Sequence, residues 1–156
     1  MSREPRQLVL DLAHRSALGA EDFLLSGSNA AAVAMIDRWP DWPGRAIVVV
    51  GPAGSGKSHL VNVWRQRAGA GCIEARALAD ATVANLGAAR ALAVEDIDRE
   101  IGEARILFHL LNLSKERKLS VLLTSRAAPG TLEIALPDLR SRLRALPVVH
   151  ICDPDQ

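Results

Sequence analysis

The 156-residue sequence contains no tyrosine, two phenylalanines and three tryptophans. So few aromatics leave no platform on which unpaired bases could stack. Cysteine is nearly absent too. Cys72 and Cys152 stand alone, with no CxxC and no histidine at metal-ligand spacing, which excludes a disulfide framework or a zinc knuckle and predicts two packing residues in a reduced setting. An excess of one charge is also missing. Nineteen basic residues face eighteen acidic ones, for a net charge of +1, so attraction to bulk phosphate does not define this chain and any contact with DNA is expected to be indirect. No apolar stretch approaches the roughly 20 residues that span a bilayer, and no export-signal core precedes the first charged segments. The expectation is a cytoplasmic chain with no membrane partner. Internal repeats and low-complexity tracts are absent, and His14, His59, His109 and His150 are too scattered for a metal site or a catalytic triad.

What is present is a hydrophobic fraction of 49%, enough for one self-sufficient core at this length. Residues 1–20 mix Pro5, Gly19 and charges without a helical period and read as an extended arm; residues 21–156 read as the folded domain. Within the domain, "SNAAAVAMIDRW" (28–39) predicts a helix with Ser28 or Asn29 at its N-cap, stopped by "PDWPG". "AIVVV" (46–50) is a β-branched apolar run of the kind buried on both faces of a parallel sheet. Helix is then predicted over 58–66, strand over 72–75, helix over 77–86, strand over 91–96, helix over 100–118, strand over 120–125, a short helix in "LPDLRSRLRAL", and a last strand over 147–151. This alternation is that of an α/β fold whose parallel strands are joined by helical crossovers.

The first strand runs into "GPAGSGKS": Gly51, Pro52, Ala53, Gly54, Ser55, Gly56, Lys57 and Ser58. The pattern is GxxxxGK[ST] with the strand before it and the helix after it that the chemistry requires. Glycines let successive backbone N–H groups converge on one anion, and the helix that follows adds its positive end. Lys57 is placed to reach the β and γ phosphates of a nucleotide such as ADP or ATP, and the Ser58 hydroxyl to ligate Mg²⁺. His59 completes the stretch and is expected to pack on the helix. A later strand ends "ALAVEDID". Carboxylates at the C-terminal edge of a parallel strand face the crevice where such sheets take ligands. By order along the chain, Glu95 takes the metal role and Asp96 orients an attacking water.

"DFLLSGSN", "GPAGSGKS", "AVEDID", "LLTSRAAP" and "LPDLRSRL" follow one another in the order found in the AAA+ domain of the bacterial replication initiator DnaA, and the chain resembles most closely the Hda-like, DnaA-related AAA+ regulators. The resemblance covers nearly the whole chain and implies a five-stranded parallel AAA+ core with helices on both faces. It also implies that Phe23 and Leu24 lie near the adenine pocket and that Arg142 is an arginine finger. Helical geometry agrees that Arg142 is set apart: Leu139, Leu143 and Leu146 share one face, with Arg140 and Arg144 on one flank and Arg142 on the other. The arm acquires a meaning as well. "QLVLDL", Gln7 to Leu12, is similar to the motif by which such proteins grip the polymerase sliding clamp. In extended form Leu8, Leu10 and Leu12 alternate at a period of two, and Gln7 offers a paired amide; an edge strand covering the domain would show the same alternation. The function implied is docking on the clamp and promotion of hydrolysis of DnaA-bound ATP, with self-association open.

Three features depart from the family pattern. Arg126 follows "TS" where DnaA carries an acid; the acidic pair is Glu-Asp; and at Gln156 the helical lid bearing a second sensor arginine has not begun. Intrinsic hydrolysis is accordingly expected to be weak. Two other readings fit a phosphate loop, a small kinase and a helicase-loader-type AAA+ adaptor.

Overall fold

The structure, a computed structural model, describes residues 29–151. The arm with Gln7, Leu8, Leu10 and Leu12, the adenine-pocket candidates Phe23 and Leu24, Ser28 and Cys152 lie outside the described residues.

Five strands form one parallel sheet: β1 (Ala46–Val50), β2 (Gly71–Glu74), β3 (Ala91–Glu95), β4 (Ser120–Ser125) and β5 (Val148–His150), in the order β2-β3-β4-β1-β5. The helices are α1 (Ala30–Arg38), α2 (Lys57–Ala68), α3 (Asp80–Ala84), α4 (Ala104–Glu116) and α5 (Pro137–Arg144). None of these is long and apolar enough to cross a membrane.

The register explains why β1 and β4 are the two wholly apolar or small runs in the sequence. They are neighbours at the centre, with Ala46 opposite Val121 and Val50 opposite Ser125, and every residue of both is buried. Side chains alternate across the sheet. Val48, Val50, Val94, Val121 and Leu123 face one layer, packed by Ile106, Leu107, Leu110 and Leu111 of α4 and Leu139 and Leu143 of α5. Ile47, Val49, Ala93 and Leu122 face the other, packed by Ile36 of α1 and Leu60, Val61 and Trp64 of α2. In that second layer the Trp42 and Trp64 rings stack at 5.3 Å, and Trp39 meets Trp64 edge-on at 6.3 Å. Arg67 of α2 donates to the carbonyls of Ile36, Asp37 and Trp39, satisfying acceptors that the end of α1 would otherwise leave open.

Most elements fall within about two residues of the sequence expectation, and two depart from it further. In place of one helix over 77–86, a 3₁₀ turn at Ala75–Ala77 is followed by the five-residue α3. The predicted helix over 100–118 begins only at Ala104. Both differences have one cause: Gly102 N–H donates to the Ala75 carbonyl and Glu103 N–H to that of Leu78. These bonds tie the two segments to each other and remove the groups that would have continued either helix.

Candidate functional site

The phosphate loop occupies the place its sequence assigns, between the end of β1 and the first residue of α2. Gly51 N–H donates to the Ser125 carbonyl of β4 at 3.1 Å, and Ser55 N–H closes a turn on the Pro52 carbonyl at 3.1 Å. Gly54 and Gly56 have φ of 77° and 101°, values that side-chain-bearing residues rarely adopt. Gly51 is fixed by room instead: a Cβ there would stand 2.6 Å from Ser55 Oγ and 2.7 Å from the Ile151 carbonyl oxygen. Ser55 Oγ is buried beside it without a hydrogen-bond partner.

Lys57 opens α2 and folds back over the loop. Its Nζ donates to the Gly51 carbonyl and, at 2.9 Å, to that of Pro52. Burial pushes the Lys57 pKa down and Arg126 adds to the effect, against the opposing fields of Asp96 and Asp98. Lys57 therefore senses all three of these charges across the crevice. Ser58 and His59 are exposed on the first turn of α2, so His59 reaches solvent and does not pack as expected.

Glu95 and Asp96 sit at the C-terminal end of β3, as expected, but their surroundings differ. Glu95 Oε2 accepts a hydrogen bond from Cys72 Sγ at 2.8 Å. Burial and this bond to a carboxylate raise the Cys72 pKa to about 12, so the thiol stays protonated and remains a donor to Glu95. Asp96 has φ of 62°, its N–H donates to Thr124 Oγ1 at 3.0 Å, and it lines a cavity of about 320 Å³ with Glu74, Ala75, Arg76, Arg99 and Glu100.

Asp98, which the sequence reading passed over, completes this edge. Its side chain is 7% exposed and accepts from both the backbone N–H of Arg126 (3.2 Å) and its Nε (3.1 Å). Burial alone raises the Asp98 pKa; the Arg126 bonds outweigh it and hold the carboxyl below its ordinary value. The signal available in sequence was the spacing of two between Asp96 and Asp98, together with Arg126 where the DnaA pattern has an acid.

Arg142 lies elsewhere. It is in the last turn of α5, just before β5 begins, and so at the N-terminal edge of the sheet, where it borders a hollow of about 270 Å³ with Pro43, Gly44, Lys115 and Pro147. The phosphate loop follows the opposite, C-terminal ends of the strands. A five-residue strand is roughly 16 Å long, so the structure does not bring Arg142 to the loop of its own chain. Its guanidinium carbon sits 5.1 Å from the centroid of the Phe108 ring on α4.

Among the described residues no three His, Cys, Asp or Glu side chains gather into a metal cage. The oxygen donors at hand, the Ser58 hydroxyl and the carboxylates of Glu95 and Asp96, are of the hard type that suits Mg²⁺ held jointly with phosphate oxygens.

A parallel sheet in the order β2-β3-β4-β1-β5 with the glycine-rich loop directly after β1 is a fold shared with solved DnaA structures. AMPPCP-bound DnaA from Aquifex aeolicus matches with a TM-score of 0.69 at 21% identity, covering 84% of this chain and 49% of that one. The chain thus spans about half the length of that and other DnaA structures, and 65% of the domain III structure from Thermotoga maritima DnaA. DnaI matches with a TM-score of 0.63 at 13% identity, over 82% of this chain and 84% of that chain. Protein NMB1076 from Neisseria meningitidis, solved in solution, is 30% identical over 80% of this chain and 85% of its own, with a TM-score of 0.52. At that identity and coverage the chain belongs to the same family as the Neisseria protein. No protein-family model and no curated protein sequence matches it.

Proposed function

We propose that this protein is a nucleotide-binding AAA+ regulator of DNA replication initiation of the Hda-like kind. It docks on the sliding clamp through Gln7–Leu12 and promotes hydrolysis of ATP held by DnaA, DNA entering only through the loaded clamp. The observation that carries the reading is the phosphate loop itself: Gly54 and Gly56 at positive φ, Lys57 opening α2, and the central strand β1 behind them. Backbone N–H groups of such a loop cradle a polyphosphate, and Lys57 exchanges its two carbonyl partners for phosphate oxygens. Bound Mg²⁺ would neutralise phosphate charge, held by Ser58 and by Glu95 once that carboxylate leaves Cys72. Asp96 is the residue for orienting water, and with the Glu95 carboxylate already engaged the chain's own hydrolysis is slow.

Arg142 supports the second half of the proposal. A guanidinium at the edge away from its own loop serves a nucleotide on another molecule, where a finger of this kind is worth about 10³ to 10⁵ in rate. The test is to add the protein, clamp and DNA to ATP-loaded DnaA. Arg142→Ala is expected to reduce stimulated hydrolysis at least a hundredfold, on the order set by other arginine fingers; equal rates remove the finger. Clamp pull-down should fail for the Gln7→Ala, Leu10→Ala double variant, and undiminished capture removes the arm assignment.

The likeness to DnaI, which extends over 84% of that chain, favours a second reading as a helicase-loader-type adaptor. Helicase and not clamp would then co-purify with the protein.

A further inference from the structure

Arg142 differs from the arginines on either side of it. Arg140 Nη1 donates to the Ile134 carbonyl at 3.2 Å, and Arg144 is exposed. Arg142 is half-buried, its Nη1 has no hydrogen-bond partner, and its guanidinium carbon is 5.1 Å from the Phe108 centroid. A buried, unpartnered N–H of a charged group is unfavourable; the negative face of the ring offsets this only in part. Beside the pair lies the basal hollow of about 270 Å³ bordered by Pro43, Gly44, Lys115 and Leu146, which gives the side chain space to swing.

We propose that Phe108 is the positioning residue for Arg142: the ring stows the guanidinium against α4, and Arg142 leaves it for the terminal phosphate of a nucleotide held by a partner molecule. The idea rests on the reading of Arg142 as acting on another molecule. The attraction of an aromatic face is modest, whereas paired charge-assisted bonds to phosphate are stronger. The ring therefore holds the cation against water and yields it to a triphosphate.

The test uses the full chain with Phe108→Leu, which removes the ring, and Phe108→Tyr, which keeps it. Modification of Arg142 by phenylglyoxal is followed by peptide-resolved mass spectrometry, with Arg144 as the internal reference. Phe108→Leu is expected to speed Arg142 modification by about three- to tenfold, the population shift a ring contact of this size allows, with Arg144 unchanged; Phe108→Tyr stays within about twofold of the parent by the same argument. Equal Arg142 rates in parent and Phe108→Leu, or a parallel rise at Arg144, overturn the proposal. If Phe108→Leu does not fold, Phe108→Met fills nearly the same volume without a ring and is read in the same way. In the DnaA assay Phe108→Leu should raise stimulated hydrolysis at subsaturating protein. The two ideas fail separately: if Arg142 has no partner nucleotide, Arg142→Ala stimulates as well as the parent while the modification rates still differ. If the stow is wrong, Arg142→Ala loses stimulation while Phe108→Leu is modified at the parent's rate.

Discussion

Lys57 and Arg126 at one edge of the sheet and Arg142 at the other are held by opposite means. At the C-terminal edge backbone and acids do the holding: Lys57 rests on two carbonyls of its own loop, and Arg126 is locked to the nearly buried Asp98. At the N-terminal edge Arg142 rests over the Phe108 ring with its Nη1 unpartnered, whereas Arg67, although over Trp39, keeps three backbone carbonyls as partners. The lesson lies in what each arrangement yields to. A charge seated among carbonyls and carboxylates is given up only to a multivalent anion that enters the same crevice. A charge resting on a ring is free to go to an anion outside the molecule.

The largest effect that sharpens this contrast concerns α2, the element reaching both edges, with Lys57 at one end and Trp64 and Arg67 toward the other. Trp64 is fully buried between Trp39 and Trp42. Trp64→Ala should cost about 3–5 kcal/mol, seen as a lowered midpoint of urea unfolding; a loss below about 1 kcal/mol would mean the second layer does not anchor α2. Next comes nucleotide affinity. Lys57→Ala should weaken binding of a fluorescent ADP roughly ten- to hundredfold, the worth of a charge-assisted bond to phosphate, while Arg142→Ala changes it by less than about twofold. Comparable losses in both variants would erase the separation of the edges.

The smallest effect belongs to the Asp98–Arg126 pair. Arg126 is half-exposed, so Arg126→Ala should cost about 1 kcal/mol or less near neutral pH. The sign with pH follows from the lowered Asp98 pKa. The contribution is fully present above the unfolded-state value of 3.8 and is lost as pH falls through the lower folded-state value. The stability gap between parent and Arg126→Ala, measured by urea unfolding, should thus narrow as pH is lowered from 3.8 through the folded-state value beneath it. A gap that stays constant throughout acid titration would show that the pair is not what holds that loop.

Local chemistry made most of the fold legible in the sequence. β4 was predicted at its observed bounds because six residues, each buried, lie between a left-handed Lys118 and the Arg126 turn. The loop's glycines, Lys57 and the acids at the end of β3 were equally readable, since strand, turn and helix are contiguous there. What could not be read depends on distant partners. The helix over 77–86 fails because Glu103 claims the Leu78 carbonyl. Asp98 gains its meaning from Arg126, 28 residues further on, and Glu95 is engaged by Cys72 on a neighbouring strand. Helical geometry set Arg142 apart, but nothing in its own segment points to Phe108.

Ile151 gives the phosphate loop a mechanical neighbour. Its N–H bonds to the Val50 carbonyl at 2.8 Å, and its own carbonyl lies so near Gly51 that no methyl group fits between them. The chain leaving β5 therefore forms part of the wall against which the loop and Ser55 are seated. A pull on that outgoing segment would change the space left for an anion without touching any residue that binds one.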